Sequence, residues 1–209
     1  MDLDRTALVF VYGTLKRRFP NHSLLADLAA AGDASFLTFA RTARRFPLVI
    51  GPLSIPFLLR LPGFGRRVDG ELYAVSSRGL SRLDELEGTT RGHYDRIPLV
   101  VVPFTPGADG DEARDSEEGE DAPGAVTAEA YFAHPSIGDD LWRRCGERGL
   151  VSYTEDDASG YVPPKDRPAG TTFLGEVLPK QFLSRITYLL FGNLTSSGLI
   201  LIHQGLSRL

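Results

Sequence analysis

Cysteine is almost absent from this sequence of 209 residues, in which Cys145 is the single example. One thiol excludes an internal disulfide framework and fits a reducing compartment, so we expect a cytoplasmic protein in which Cys145 is a small buried side chain. A secretory leader is not expected, because residues 1–5 carry two acids against one base and the apolar run that follows is only as long as a strand.

Groups that would carry metal or nucleophilic chemistry are also scarce. None of the histidines is spaced with another as metal ligands usually are, and no Ser-His-Asp arrangement is visible. The stretch GTLKR lacks the second glycine and the Lys-Ser/Thr pair of a phosphate-binding loop, and the acidic run lacks the pattern of an EF-hand. We therefore predict no metal, no cofactor and no enzymatic nucleophile. The histidines are His22, His93, His134 and His203.

Negative charge is concentrated in one segment. The formal net charge is −4, of which residues 109–121, with eight acids and one arginine, contribute −7, leaving +3 for the rest. A nucleic-acid-binding surface is not expected, because its basic residues would dominate and cluster. Residues 105–124, rich in glycine, proline and acids, are predicted to be a disordered loop.

The hydrophobic content of 42% is enough for a core. Strand patterns outnumber helix patterns and do not alternate with them regularly, which favours an α+β fold over a doubly wound sheet. Pro98 inside its strand favours an edge position or a bulge. We predict strands over 7–12, 68–75, 94–102 and 128–132, short apolar runs at 46–50 and 55–61, and helices over 21–32, 77–87 and 139–148.

Long hydrophobic runs are missing, apart from one interrupted stretch near the C-terminus. A membrane-spanning helix needs about 20 mostly apolar residues, whereas the segment 182–202 is interrupted by Arg185, Asn193, Thr195, Ser196 and Ser197. We expect no membrane insertion and keep a membrane-attached variant as a weaker alternative. The predicted organisation is one domain over residues 1–172, containing the acidic loop, and an apolar tail of unknown role over 173–209. No feature of the sequence sets an oligomeric state.

One carboxylate of the helix 77–87 is predicted to face its apolar side. At about 100° per residue, the leucines mark one face, Glu85 lies opposite them and Asp84 lies at the edge, whereas Glu87 falls among the leucines. Desolvation raises the pKa of a carboxyl group, and so does the negative end of the helix dipole before Gly88. A carboxylate that titrates near neutral pH suits general acid–base catalysis.

Two features fit either a functional or a structural role. Glu87 would be structural if it paired with Arg91 or Arg96. The apolar strand that stops at Gly13 leads into a glycine loop, which presents backbone amides to a ligand or is only a turn. The cations that follow, residues 16–18, are expected to be exposed.

Several short motifs follow one another along the chain: VYGTLKR at the N-terminal strand, GELYAV at residues 70–75, and LDELEG at 83–88 followed by HYDR at 93–96. Together these motifs resemble the gamma-glutamylcyclotransferase family. The longer stretches FVYGTLKRRFPNH and IPFLLRLPGFGRRVDGELYAV are most similar to the gamma-glutamylamine cyclotransferase branch, and GDDLWRRCGERGLVSYTEDD resembles plant members. The resemblance covers residues 7–165 and implies a small mixed β-barrel with flanking helices.

The resemblance also implies an enzyme that needs no cofactor and acts on a small-molecule γ-glutamyl substrate. The expected reaction is intramolecular aminolysis to 5-oxoproline and a free amine. In the family, the YGTL loop binds the γ-glutamyl group and a glutamate accepts the proton. Tyr94 and Arg96 are expected to line the pocket or to steady the glutamate. The matching positions are Tyr12, Gly13, Thr14 and Leu15 for the loop and Glu87 for the base.

The sequence departs from the family pattern at three places. Arg18 stands where the branch usually has glycine, which would narrow the mouth of the pocket, and the acidic insertion and the apolar tail have no counterpart. The leaving amine therefore stays open between lysine, another amino acid, cysteinyl-glycine and a polyamine. The alternative from another class is a non-catalytic binding module on the same fold. A Glu87 sealed in an ion pair would favour that module, and a Glu87 open to a pocket would favour the enzyme.

Overall fold

Five strands close into a small barrel in the computed structural model, which describes residues 6–107 and 121–167. Neighbouring strands of the barrel are antiparallel, except at its closure, where the first and last strands pair in parallel at Val9 and Glu129. Two short strands, β3 (Leu48–Ile50) and β4 (Pro56–Leu58), extend the sheet from β7. The barrel strands, in spatial order, are β1 (Ala7–Val11), β5 (Asp69–Val75), β2 (Ala34–Thr42), β6 (Tyr94–Phe104) and β7 (Val126–Ala133).

A hydrophobic cluster contributed by all five barrel strands forms the core. Burying one large aliphatic or aromatic side chain stabilises the fold by roughly 1.5–3 kcal/mol, so this cluster is the main favourable contribution. Tyr153, which follows the barrel in sequence, is fully buried in the same cluster. Core members from the strands include Phe10, Ala40, Leu72, Val101, Ala130 and Phe132.

Within the described residues, four helices flank the barrel: α1 (His22–Ala30), α2 (Ser77–Glu87), α3 (Pro135–Arg144) and α4 (Glu155–Ala158). The bounds of α2 agree with the predicted helix, because Ser76 caps its first turn by accepting from the Gly79 amide and Gly88 ends it with φ +65°. Single 3-10 turns lie at Pro52–Ser54, Thr89–Arg91 and Pro164–Asp166.

The predicted helix over 139–148 is wrong at both ends. Helix α3 begins at Pro135, because the His134 side chain accepts from the Ser136 amide and proline suits the first helical position. It ends before Cys145, and Gly146 then has φ +66°. The nine-residue strand β2 was not predicted at all.

Pro98 lies in a part of β6 that pairs with one neighbouring strand, in agreement with the predicted edge position. It pairs with Glu129 of β7, whereas pairing of β6 with β2 is confined to residues 101–104. The missing proline N–H is therefore not needed by a second neighbour.

The chain divides into two compact units, Met1–Tyr161 and Val162–Leu209. The second unit is described only at residues 162–167, where the Arg167 side chain donates to the Val162 carbonyl. Most of the predicted acidic loop, the predicted domain end at residue 172 and the apolar tail 173–209 lie outside the described residues. Within 6–107 and 121–167, no helix has the length and apolar character needed to cross a membrane.

Candidate active site

Tyr12 lies at a place where two strands, β1 and β4, pair with the same edge of β7. Strand β1 pairs with that edge at Val9, and β4 pairs with it further along, at Leu58. The buried Tyr12 hydroxyl bridges the two, donating to the Tyr131 carbonyl at 2.6 Å and accepting from the Leu58 amide at 3.4 Å. Burial raises the pKa of Tyr12 well above its usual value, and the Glu87 carboxylate raises it further.

The loop after Tyr12 contains successive backbone amides that have no hydrogen-bond acceptor in the described part of the chain. The turn is closed by the Lys16 amide, which donates to the Gly13 carbonyl at 3.1 Å. Among the turn and loop hydrogen bonds of the described residues, none is donated by the amides of Gly13, Thr14 or Leu15. Three such N–H groups in succession can bind an anion.

Glycine at position 13 is required by close packing. A Cβ atom there would lie 2.8 Å from Cγ of Pro56. The Pro56 carbonyl in turn accepts a hydrogen bond from the Tyr94 hydroxyl at 3.1 Å, and the Tyr94 ring stacks on Phe57 with 5.5 Å between centroids. Tyr94 therefore supports the wall against which the loop rests.

Glu87 is the last residue of α2 and is partly exposed. Burial raises its pKa to about 7, and the neighbouring Asp84 carboxylate contributes to the increase. In the described part of the chain, no hydrogen bond or ion pair involves the Glu87 carboxylate. The side chain thus combines a near-neutral pKa with an unoccupied carboxylate, as a general base requires.

Arg96 pairs with Asp84 rather than with Glu87. Its Nε donates to Asp84 Oδ1 at 2.9 Å, and the Tyr131 hydroxyl donates to the same oxygen at 2.8 Å. A second contact of Arg96, at 3.7 Å, reaches Glu129.

The other predicted partner of Glu87 is also engaged elsewhere, because Arg91 donates to the Glu85 carbonyl. Both ion pairs considered for Glu87 from the sequence are therefore absent from the described residues. The Asp84–Tyr131 contact was not predicted. The position of Asp84 three residues before Glu87 on the helix was visible in the sequence, but nothing in the sequence brings residue 131 to residue 84.

Lys16 is buried, contrary to the expectation that the cations after the loop are exposed. Arg17 is half-buried and donates to Glu71, whereas Arg18 is exposed and contacts Glu155. These cations line a cavity of about 540 Å³ whose wall also contains Phe39 and Asp69 but neither Tyr12 nor Glu87. The cavity therefore adjoins the Lys16 end of the loop.

Metal ligands are not assembled in the part of the chain that the structure describes: no group of three or more His, Cys, Asp or Glu side chains is placed to hold an ion. Cys145 is partly buried, and burial raises the pKa of its thiol.

Residues 9–146 match the family described as gamma-glutamyl cyclotransferase, AIG2-like. The chain belongs to this family. An Arabidopsis thaliana protein that carries the name gamma-glutamylcyclotransferase is 50% identical over 172 residues, which cover 82% of this chain and 90% of that protein. The human gamma-glutamylaminecyclotransferase is 53% identical over 96 residues, 46% of this chain and 61% of that enzyme.

The fold of this gamma-glutamyl cyclotransferase family member is also found in a solved relative. The crystal structure of a mouse AIG2-like protein is 32% identical, with a TM-score of 0.61, and the match covers 78% of this chain and 99% of the mouse chain. The predicted family, the α+β barrel fold and the prediction of an enzyme of the gamma-glutamylcyclotransferase type are confirmed.

Proposed function

We propose that this family member cleaves a γ-glutamyl amine or a γ-glutamyl amino acid to 5-oxoproline and a free amine. The observation that carries the proposal is the Glu87 carboxylate, which has a pKa of about 7 and no hydrogen bond or ion pair within residues 6–107 and 121–167. The amides of residues 13–15, which donate to no acceptor in the turns and loops of those ranges, and the coupling of Glu87 to Tyr12 support it further.

The reaction is an intramolecular aminolysis. The substrate α-nitrogen attacks its own γ-carbonyl carbon, a five-membered ring closes, and the bond from that carbon to the amine nitrogen breaks. Glu87 takes a proton from the α-ammonium group and passes it to the leaving nitrogen. The ring nitrogen loses a second proton as the lactam forms, and this proton also goes to the amine, which leaves as an ammonium ion, so no water, metal or nucleotide is consumed. An amine already positioned in this way reacts with an effective molarity of about 10⁵–10⁸ M.

The pKa of Glu87 suits this proton transfer. The pKa of Glu87 is about 7, whereas that of an ordinary glutamate is about 4.3. Transfer of the ammonium proton to Glu87 is therefore less unfavourable by between two and three pKa units, or roughly 3–4 kcal/mol. The desolvation of Glu87 therefore lowers the barrier by a few kcal/mol.

The amides of Gly13, Thr14 and Leu15 are proposed to bind the substrate carboxylate or the oxyanion that develops on the γ-carbonyl. Tyr12 holds this loop at the gap between β1 and β4, because its hydroxyl proton is already donated to Tyr131. Tyr94 and Arg96 act one step away, Tyr94 through Pro56 and Arg96 through Asp84.

The substrate class follows the named relatives. The human relative and a zebrafish relative, 37% identical over 155 residues, are both named gamma-glutamylaminecyclotransferases, so we place γ-glutamyl amines first and γ-glutamyl amino acids second. We expect the enzyme to act in the cytoplasm. The alternative, a non-catalytic module, predicts a Glu87 sealed in an ion pair, and the described residues provide no such pair.

The experiment measures 5-oxoproline release from γ-glutamyl-ε-lysine, γ-glutamyl amino acids and γ-glutamylcysteinylglycine by the wild type, Glu87→Gln and Glu85→Gln. We expect release by the wild type and by Glu85→Gln, and a loss of at least 10²-fold in Glu87→Gln with ligand binding retained. Turnover retained in Glu87→Gln would remove Glu87 from the mechanism. Silence of a folded wild type across the panel would favour the binding module.

A further inference from the structure

Residues 150–161 lie beyond the part of the chain that matches the family, yet they contact the loop proposed to bind substrate. The buried Lys16 ammonium group donates to the Tyr153 carbonyl at 2.7 Å and to Ser152 Oγ at 3.2 Å. It also lies 4.6 Å from the centroid of the Phe19 ring, which packs on the Tyr153 ring. Burial lowers the pKa of Lys16, whereas the Glu71, Asp69 and Asp157 carboxylates oppose that decrease. A buried ammonium group held by neutral oxygens is costly, so these bonds must be kept to compensate it.

A second connection runs through Asn21. Its backbone amide donates to the Thr14 carbonyl at 2.9 Å, and its side-chain Nδ2 lies 2.9 Å from Thr14 Oγ1 and 2.9 Å from the Tyr161 hydroxyl. Thr14 is therefore held by both its main chain and its side chain, and Tyr161 holds Asn21.

The Asn21 side chain does not cap helix α1. It stands at the N-cap of α1, where asparagine normally accepts from an amide of the first turn, but it makes no capping bond. Such a bond stabilises a helix by about 1 kcal/mol. The side chain is instead directed to Thr14, in the loop.

We propose that Ser152, Tyr153 and Tyr161, which we name the clasp, position the substrate loop through Lys16 and Asn21. This inference rests on the proposed function. Residues 13–21 form turns without regular secondary structure, and fixing the backbone of one such residue costs about 1–2 kcal/mol. The contacts of the clasp offset this free-energy cost when the protein folds, so the loop is already ordered before substrate binds. Lys16 and Asn21 are positioning residues and do not contact the reacting atoms.

The orientation of the Asn21 side-chain amide decides whether the Thr14 hydroxyl acts as a hydrogen-bond acceptor or donor toward Asn21. Because its amide group donates to Thr14 Oγ1, the Thr14 hydroxyl keeps its own hydrogen to donate to substrate. Aspartate at position 21 has the same shape but only acceptor atoms. It would capture the Thr14 hydrogen and could still accept from Tyr161.

The test uses the full chain with Asn21→Asp and Tyr161→Phe, and Glu155→Gln as the matched control. Arg18 and Glu155 also connect the loop to the clasp segment, but their side chains are 81% and 64% exposed, so this pair contributes little. The substrate carboxylate is bound alike in the ground state and the transition state, so a weaker contact to it raises KM and leaves kcat unchanged. We expect KM to rise about tenfold in Asn21→Asp and about threefold in Tyr161→Phe, and to change less than twofold in Glu155→Gln. The pH midpoint set by Glu87 should not move.

Hydrogen exchange tests the clasp independently of turnover. The amides of Lys16, Phe19 and Asn21 are bonded within the loop. We expect each to exchange several-fold faster in Tyr161→Phe than in the wild type and at about the wild-type rate in Asn21→Asp, which can keep both side-chain contacts, with global Tm unchanged. Unaltered exchange in Tyr161→Phe together with unaltered KM in both variants would overturn the clasp. A wild type that releases no 5-oxoproline would instead overturn the proposed function, and faster loop exchange would then still support the clasp.

Discussion

Asp84 and Glu87 lie one turn apart on α2, and of the two only Asp84 has hydrogen-bond partners among the described residues. Arg96 and the Tyr131 hydroxyl donate to Asp84 beside Glu87, while the Tyr12 hydroxyl, which the Glu87 carboxylate also influences, stays protonated because burial raises its pKa. Asp84 is thus a fixed negative charge that disfavours ionisation of the proposed base.

Asp84→Asn should therefore shift the acid limb of the kcat/KM profile to lower pH. The wild-type limb should have its midpoint near pH 7, where Glu87 titrates. Removing a charge about 6 Å away, and leaving Arg96 in place, should lower the pKa of Glu87 by about 0.5–1 unit. Glu85→Gln on the same helix is the control, because the Glu85 side chain is 78% exposed and should not shift the limb. A midpoint unchanged in Asp84→Asn would contradict this role.

Glu87→Gln should make the protein more stable at pH 8 while removing its activity. Below the unfolded-state pKa of about 4.5, both states carry the proton, and the raised pKa has no effect. As pH rises from 4.5 to about 7, the unfolded state ionises first, so the wild type loses stability, by roughly 1–3 kcal/mol after allowance for partial exposure. Urea unfolding of both proteins at pH 4.5 and pH 8 measures this difference. An equal gap at the two pH values would contradict it.

Gly13→Ala should destabilise the protein and weaken substrate binding. The new methyl group would lie 2.8 Å from Pro56 Cγ, and overpacking of this kind costs about 1–3 kcal/mol. Gly138→Ala is the matched control, because the new atom would meet nothing within 4 Å inside α3 and alanine favours a helix by about 1 kcal/mol. Thermal unfolding should lower Tm for the first variant and raise it for the second. A Gly13→Ala protein with wild-type Tm and KM would show that the loop tolerates a side chain.

Arg18→Gly should stabilise the protein by about 0.5–1 kcal/mol. Arg18 has φ +74°, a left-handed conformation that costs an L-residue about 1–2 kcal/mol, of which the entropy of an unfolded glycine offsets part. Arg18→Ala keeps the strain and should gain nothing. Denaturant midpoints of the three proteins distinguish relief of strain from loss of the exposed ion pair with Glu155.

Local signals in the sequence were sufficient to predict the bounds of an element that is flanked by its own capping residues. The bounds of α2 could be predicted because Ser76 and Gly88 flank an apolar stripe. Helix α3 was misplaced because a histidine supplies its cap, a residue seldom used there. Strand β2 was missed because its edges are set by pairing with β5 and β6, and its charged Arg41 is buried against Asp69.

The same distinction between local signals and long-range contacts applies to the candidate site. Glu87 could be separated from Glu85 by the helical period alone, and the raised pKa that we expected for it agrees with its surroundings. The engagement of Arg96 by Asp84, and the burial of Lys16, depend on contacts between residues far apart in the chain. Helical periodicity and turn chemistry do not carry such information.

The closure of the barrel through β1 and β7 also has a consequence for the biosynthesis of the enzyme. The loop is joined to Tyr131, Tyr153 and Tyr161 across separations of 119, 137 and 140 residues. At a synthesis rate of about 5–20 residues per second, its first residues wait roughly 7–30 s for those partners to be made. Contacts of such long range also slow folding once the chain is complete. Catalytic activity should therefore appear late, as one of the last events in maturation. In a nascent chain that still lacks residue 161, the N-terminal loop should not yet be fixed in its native conformation.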